Sequence, residues 1–205
     1  MQSREDKKRQ TRKSLMDAAL TLTGNGENFS NISLREVAKN AGVVPTSFYR
    51  HFKDMEELGL NIVDDLGLIL RKLMRATRQN SDYFDTLAQQ SIEVYTDFVS
   101  ENKNYFYFMA QIRTGGTPVL RNAIRSDIKY FANELASDLR PLSVFDKAED
   151  SDLELISLLI VEAVFDTTID LLDQIQTSPN QQQAYVENTV KKLRVIWLGA
   201  ITWQS

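Results

Sequence analysis

Residues 33–53 read SLREVAKNAGVVPTSFYRHFK, and the reading of this stretch decides the fold. Ser33 and Glu36 stand three apart ahead of an apolar series. That is the spacing of a capping box, in which each side chain satisfies a free backbone N–H at a helix start. Leu34, Val37, Ala38 and Ala41 recur at the interval that buries one helix face. Gly42 follows, the residue type that admits a left-handed stop. Val43 places an apolar residue in the turn. Pro45 fits the first turn of a second helix, where its missing N–H costs nothing. Phe48 and Phe52, four apart, face inward. Thr46, Ser47, Tyr49, Arg50, His51 and Lys53 are left on the other sides. The pattern is that of a helix-turn-helix. An ordinary helical hairpin with polar outward residues has the same periodicity, so periodicity alone leaves both readings open.

The residues around this stretch add charge. Arg4, Lys7, Lys8, Arg9, Arg12 and Lys13 precede a helix expected over about 6–23, with Leu15, Ala18, Ala19 and Leu22 on its apolar face and Gly24-Asn25-Gly26 at its end. Phe29 and Ile32 then lead into the Ser33 cap. Residues 1–53 carry 10 Lys/Arg against 5 Asp/Glu, a balance of +5, and the remainder carries 14 against 23, or −9. A basic head on an acidic body suits contact with a polyanion through the head alone. Outward hydroxyls and a guanidinium on a short helix reach base edges and phosphates in a major groove. Arg35, Thr46, Ser47 and Tyr49 are the candidates for base or groove contact, beside Pro45 and Arg50. Tyr49, His51, Lys53, Lys8 and Arg12 are those for the phosphate backbone.

The 205 residues include eight Gly and four Pro, few for this length, which favours long helices. The expected fold is all-α: a three-helix head over 1–53 and a larger helical domain over 54–205. No cysteine is present, so disulfides and thiolate chemistry are excluded. The opening MQSREDKKRQ lacks the apolar core of a signal peptide, and no run of ~18 apolar residues suggests a membrane span. A cytoplasmic protein without membrane contact is expected.

Beyond the head, Asp54 and Glu57 repeat the start signal. A helix follows through Leu58, Ile62, Val63, Leu66, Ile69, Leu70, Leu73 and Met74 to about Gln79, with a basic tail of Arg71, Lys72, Arg75 and Arg78. Asn80-Ser81-Asp82 breaks it. A helix over 83–101 turns Phe84, Leu87, Ser91, Tyr95, Phe98 and Val99 inward. Tyr105-Phe106-Tyr107-Phe108-Met109 follows; four aromatics in a row cannot all face one core, so some line a cavity or a chain–chain contact, or a short helix packs tightly. Arg113 to Pro118 reads as a loop, without the residues of a phosphate-binding P-loop. A helix over 118–139 buries Leu120, Ile124, Ile128, Phe131 and Leu135. It carries Arg121, Arg125 and Lys129 in a stripe that meets either solvent or a ligand's phosphates. Phe145 to Asp152 reads as a polar connection. Residues 152–176 form a helix apolar nearly all round, broken by Thr177-Ser178-Pro179-Asn180, and a last helix spans about 181–203 with Val186, Val190, Leu193, Ile196, Trp197 and Ala200. Two such helices per chain suit a symmetric four-helix dimer interface. Glu162, Asp166, Asp170 and Asp173 share one face. Without a histidine partner, they fit salt bridges or solvent better than a metal or acid–base site, and no metal or cofactor is expected.

Ala41-Gly42-Val43, Phe48-Tyr49-Arg50-His51-Phe52-Lys53-Asp54 and Glu56-Glu57-Leu58, preceded by Leu34-Arg35-Glu36-Val37-Ala38, resemble the DNA-binding signature of the TetR family of repressors. PTSFYRHFKDMEELGL, residues 45–60, is similar to its fatty-acid-responsive branch of FabR and DesT types, the repressors of unsaturated fatty acid synthesis and acyl desaturase genes. Val44 stands where many relatives have a polar helix cap. The resemblance implies a homodimer through the last two helices, bound to a near-palindromic double-stranded DNA operator. It also implies a long-chain acyl thioester as effector, held in an apolar tunnel to which Leu66, Leu70, Tyr95, Phe98, Phe106, Met109, Phe131 and Phe165 contribute, with Arg113, Arg121 and Arg125 near its mouth. In this branch unsaturated chains tighten DNA binding. A TetR-type regulator of efflux or catabolic genes, sensing an aromatic or drug-like compound, is the alternative. A helical enzyme with an acidic active site lacks a nucleophile–base pair, a metal-spaced His/Cys set or a cofactor loop and leaves the head motif without a role; a helical dimerisation or scaffold module that no longer reads DNA is the third reading.

Overall fold

The computed structural model describes residues 3–78, 84–175 and 179–203. The expected breaks at Asn80-Ser81-Asp82 and Thr177-Ser178 lie outside the described residues, as do the side chains of Arg78, Phe84, Pro179 and Asn180. Every regular element among the described residues is helical. The helices are α1 (Arg4–Gly24), α2 (Leu34–Asn40), α3 (Pro45–Phe48), α4 (Met55–Arg78), α5 (Phe84–Glu101), α6 (Lys103–Gly115), α7 (Pro118–Leu139), α8 (Asp150–Asp166), α9 (Thr168–Ile175) and α10 (Pro179–Thr202). Single 3-10 turns lie at Phe29–Asn31 and Ser143–Phe145. No described helix is long and apolar enough to cross a membrane.

By packing, the chain divides into two compact units: residues up to Gly67 with Lys103–Ile124, and Leu68–Asn102 with residues from Arg125 onward. The expected division at 53/54 follows the motif at the head; the packing division follows the return of residues 103–124 to it.

In the first unit, α1 starts earlier than about residue 6. Ser3 and Asp6 form a capping box of their own, with Asp6 N–H on Ser3 Oγ at 3.0 Å and Ser3 N–H on Asp6 Oδ2 at 3.2 Å. The unit's core gathers Leu15, Ala18 and Ala19 of α1, Val37 and Ala38 of α2, and Phe48, Phe52, Leu58, Ile62 and Leu66. α6 and the start of α7 belong to the same core. Phe108 is fully buried and meets Phe29 edge-on, centroids 4.9 Å apart. The Gln111 side chain accepts from Phe29 N–H at 3.0 Å and donates to the Glu27 carbonyl at 3.1 Å, so it satisfies backbone that the 28–31 turn would leave bare. Tyr105 O–H donates to Asp65 at 2.8 Å, and Thr117 O–H to Glu56 at 2.6 Å. The expected loop at Arg113 to Pro118 shrinks to Gly116-Thr117, because α6 continues through Gly115. Gly116 makes that tight corner possible: a Cβ there would come within 2.7 Å of the Ile112 carbonyl oxygen.

In the second unit, Val99, Ile92 and Tyr95 of α5 are buried, with Leu171 and Leu172 of α9 and Tyr185, Val186 and Leu193 of α10. The single helix expected over 152–176 is two helices, divided at Thr167. Thr167 Oγ1 donates back to the Val164 carbonyl at 3.0 Å, and Thr168 Oγ1 to the same carbonyl at 3.2 Å. Such hydroxyl bonds to the preceding turn compete with the helix ladder. Both hydroxyls then meet tyrosines: Thr168 with Tyr95 O–H at 2.6 Å and Thr167 with Tyr185 O–H at 3.0 Å. Burial raises the pKa of both tyrosines. Phe145 is no connector residue. It is 2% exposed and packs edge-on against Trp197, centroids 5.1 Å apart. Ile69, one of the apolar residues along α4, is exposed, as is its neighbour Leu68.

Candidate nucleic-acid interface

The turn and short helix of residues 41–53 form as their residue types require. Ser33 N–H meets Glu36 Oε2 at 2.7 Å and Glu36 N–H meets Ser33 Oγ at 3.3 Å, closing the capping box on α2. Gly42 takes φ +69°, a conformation that costs a side-chain-bearing residue energy. Val43 N–H then reaches back to the Ala38 carbonyl at 2.9 Å. Pro45 is the first residue of α3, and Val44, its N-cap, supplies no side-chain bond. The N–H groups at this end are left to other partners.

Phe48 and Phe52 lie fully buried beneath α3, centroids 5.7 Å apart. That anchorage sets the opposite side outward. Arg35, Pro45, Thr46, Tyr49, Arg50 and Lys53 are exposed; Ser47 and His51 are half-buried. Tyr49 is 61% exposed, much for a tyrosine, and its ring rests edge-on against Phe48. The arrangement offers hydroxyl, phenol, guanidinium and ammonium donors on one short convex element. Lys8 is exposed on α1. Arg12 is engaged inside the unit: its guanidinium donates to Asn61 Oδ1, reaches the Met16 sulfur at 3.7 Å, and lies over the Phe52 ring, 5.1 Å from its centroid. Arg12 thus ties α1 to α4 and to the end of the recognition segment. Its partner Asn61 went unread in the sequence, where nothing local links positions 49 residues apart.

His51 is held below its ordinary pKa of 6.5, first by burial and then by the charges of Lys8, Arg12 and Arg50. Its Nδ1 is buried without a hydrogen-bond partner. Because the folded pKa is the lower one, the unfolded chain takes the proton first. Stability contributed by the neutral ring is full above about pH 6.5 and declines as pH falls through that value toward the folded pKa. Urea midpoints measured at neutral pH and at about pH 5.5 are expected to fall less for His51→Gln than for the unaltered protein; equal falls would remove His51 from this role.

The expected effector residues divide between the units. Leu66, Phe106 and Met109, all buried, belong to the first, with the exposed Arg113 and the half-buried Arg121. The Arg121 guanidinium donates to the Gly116 carbonyl, closing the end of α6. Leu70 and Tyr95, both buried, belong to the second unit, with the half-buried Phe98, Phe131 and Phe165 and the exposed Arg125. Two cavities in the second unit, of about 390 and 470 Å³, are lined by other residues: Arg71, Tyr130, Asn133, Glu134 and Ser137, and Leu73, Ala76, Thr77, Gln90, Glu93 and Val94. Glu162, Asp166, Asp170 and Asp173 are exposed, and no group of three metal-ligating side chains occurs among the described residues.

Comparison with known proteins agrees with this head. Residues 15–61 match the model of the bacterial regulatory proteins of the tetR family, and residues 84–193 match the tetracyclin repressor-like C-terminal domain. Similar solved structures include the fatty acid degradation regulator FadR of Bacillus halodurans, at 14% identity, covering 89% of this chain and 94% of that one with a TM-score of 0.74. FadR of Bacillus subtilis in complex with stearoyl-CoA is similar at 16% identity, 94% and 98% coverage and a TM-score of 0.68. The SmeT–triclosan complex is similar at 18% identity, 92% and 90% coverage and a TM-score of 0.66. With a helix-turn-helix head matched by one family model and more than half of its length by the other, this chain belongs to the TetR family of transcriptional regulators.

Proposed function

We propose that the protein is a ligand-responsive repressor that binds a near-palindromic operator as a homodimer and governs unsaturated fatty acid synthesis or desaturation in response to long-chain acyl-CoA. The observation that carries the DNA half is the outward face of α3 and its flanks. Pro45, Thr46, Ser47, Tyr49 and Arg50 flank the buried Phe48–Phe52 pair, and Arg35 is exposed on α2, in reach of a major groove in this reading. His51, Lys53 and Lys8 take phosphate, and Arg12 braces them. Two heads one helical turn apart, about 34–36 Å, would read two half-sites. Dimerisation is supported by apolar side chains that each protomer leaves in solvent: Leu155 and Leu159 of α8, and Val195, Leu198, Ile201 and Trp203 of α10 or its end. A soluble protomer rarely keeps such a set uncovered.

The effector half rests on the likeness of residues 45–60 to the fatty-acid-responsive branch and on the fold shared with a regulator holding stearoyl-CoA. In this reading the buried and half-buried aromatics Tyr95, Phe98, Phe131 and Phe165, with Leu70, take the acyl chain. Arg125, exposed in the same unit, meets the thioester's phosphates. A kinked and a straight chain would stabilise different states, and the effector shifts their populations. The test is binding to the promoter DNA of desaturase and fatty-acid synthesis genes at fixed salt, with oleoyl-CoA, palmitoyl-CoA or neither. Opposite shifts by the two thioesters are expected. Salt-sensitive specific binding indifferent to both would discard the acyl effector in favour of an aromatic or drug-like one, for which the fold shared with the triclosan-bound SmeT is the precedent.

A further inference from the structure

The cavity between the later part of α4 and that of α7 has a charge that no described residue answers. Five residues line it: Arg71, Tyr130, Asn133, Glu134 and Ser137. Arg71 is already paired. Its guanidinium donates to Asp127, both side chains less than a fifth exposed, and it lies over the rings of Tyr130 and Phe131, 5.9 and 5.7 Å from their centroids. To a ligand, the Arg71–Asp127 pair is close to neutral. Glu134 is different. Its Oε2 is buried and has no hydrogen-bond partner, and the structure brings no cation within ion-pair reach of it among the described residues. A buried carboxylate oxygen without a donor is costly. Beside it, Ser137 spends its hydroxyl proton on the Asn133 carbonyl at 2.9 Å, so its oxygen faces a newcomer as an acceptor. Tyr130 supplies an aromatic surface, 60% exposed.

From this arrangement we infer that the cavity binds a small organic ammonium ion, whose N–H donors meet the Glu134 carboxylate and the Ser137 hydroxyl while its apolar part lies along Tyr130. The uncompensated charge sets the class. An ammonium supplies the missing counter-charge and up to three donors at a place that offers acceptors; a carboxylate ligand would have to displace Asp127 from Arg71 or face Glu134. The aromatic edge of the cavity favours an amine that carries a flat or hydrocarbon body over a bare metal cation, and the space, about 390 Å³, is at the small end of ligand pockets. All of the groups belong to one compact unit, and the inference does not depend on the acyl effector.

The probe is phenethylammonium, titrated calorimetrically into the whole protein without DNA or acyl thioester, against phenethyl alcohol and phenylacetate of matched size. Saturable binding of the ammonium ion and none of the alcohol is expected. Glu134→Gln keeps the shape and removes the charge, and is expected to weaken binding about tenfold or more. Tyr130→Leu weakens it less. Glu93→Gln, in the other cavity of this unit, leaves it unchanged. Thermal melts of each variant establish that it is folded. Preference for phenylacetate would overturn the assignment by making Arg71 the reading group. Equal binding of ammonium ion to the unaltered protein and Glu134→Gln, or no saturable binding, would overturn it as well.

Discussion

Phe108→Ala is expected to lower the stability of the first unit by about 3–5 kcal/mol, the cost of deleting a wholly buried phenylalanine and leaving a cavity. Phe108 is 0% exposed and stacks edge-on with Phe29, itself buried in the turn between α1 and α2. Against the ~5–15 kcal/mol by which a domain is usually stable, that loss is large. The variant is therefore expected to lose operator binding at physiological temperature, though residue 108 lies far along the chain from the recognition helix. Phe108→Leu retains much of the buried volume and is expected to lose less. The check is paired: denaturant midpoints for stability, and DNA binding on cooling to where the variant is folded. An unchanged midpoint would mean that α6 is not part of the head's core.

Leu159→Glu is expected to turn the proposed dimer into monomers. Leu159 lies on the outer face of α8, 46% exposed in the protomer, so the substitution spares the protomer's own core. In a two-fold interface the same residue enters from both sides, and each protomer then buries a carboxylate without a partner, at several kcal/mol apiece. The expected rise in the dimer dissociation constant is about a thousandfold or more, since each 1.4 kcal/mol is a factor of ten. Operator affinity should collapse with it, because one head reads one half-site. Sedimentation equilibrium and circular dichroism together decide the matter: a folded monomer is the expected result, and a dimer as tight as the original would remove α8 from the interface.

What the sequence made legible was local. Ser33–Glu36, Gly42 and Pro45 act within three or four residues, and each took the conformation that its chemistry requires. The paired Phe48 and Phe52 were legible for the same reason. Other features depend on partners distant in the chain. Thr167 breaks an apolar helix only in company with Tyr185, and Thr168 only with Tyr95. Phe145 sits in a polar stretch with no periodicity to betray that Trp197 covers it. Ile69 keeps helical step with buried neighbours, yet the face it occupies is uncovered. The expected α1 start fell short of Ser3 because the Ser3–Asp6 box stands in a charged run, with no apolar periodicity beside it to mark a helix start. For the effector residues, spacing told which side chains are apolar and inward but not which unit each would join.

The return of α6 to the head has a consequence for how the protein is made. On the ribosome, chains emerge from the N-terminus, and domains fold as their cores become complete. Here the recognition helix appears early, but Phe29 waits for Phe108, and the backbone at Glu27 and Phe29 waits for Gln111. Until about the first 124 residues are free, the nascent head exposes Phe29 and the apolar face of α1. A chaperone that guards exposed aromatics would find its client in that interval. A transcript truncated before α6 would yield a fragment carrying the whole DNA-reading motif and no finished core to hold it.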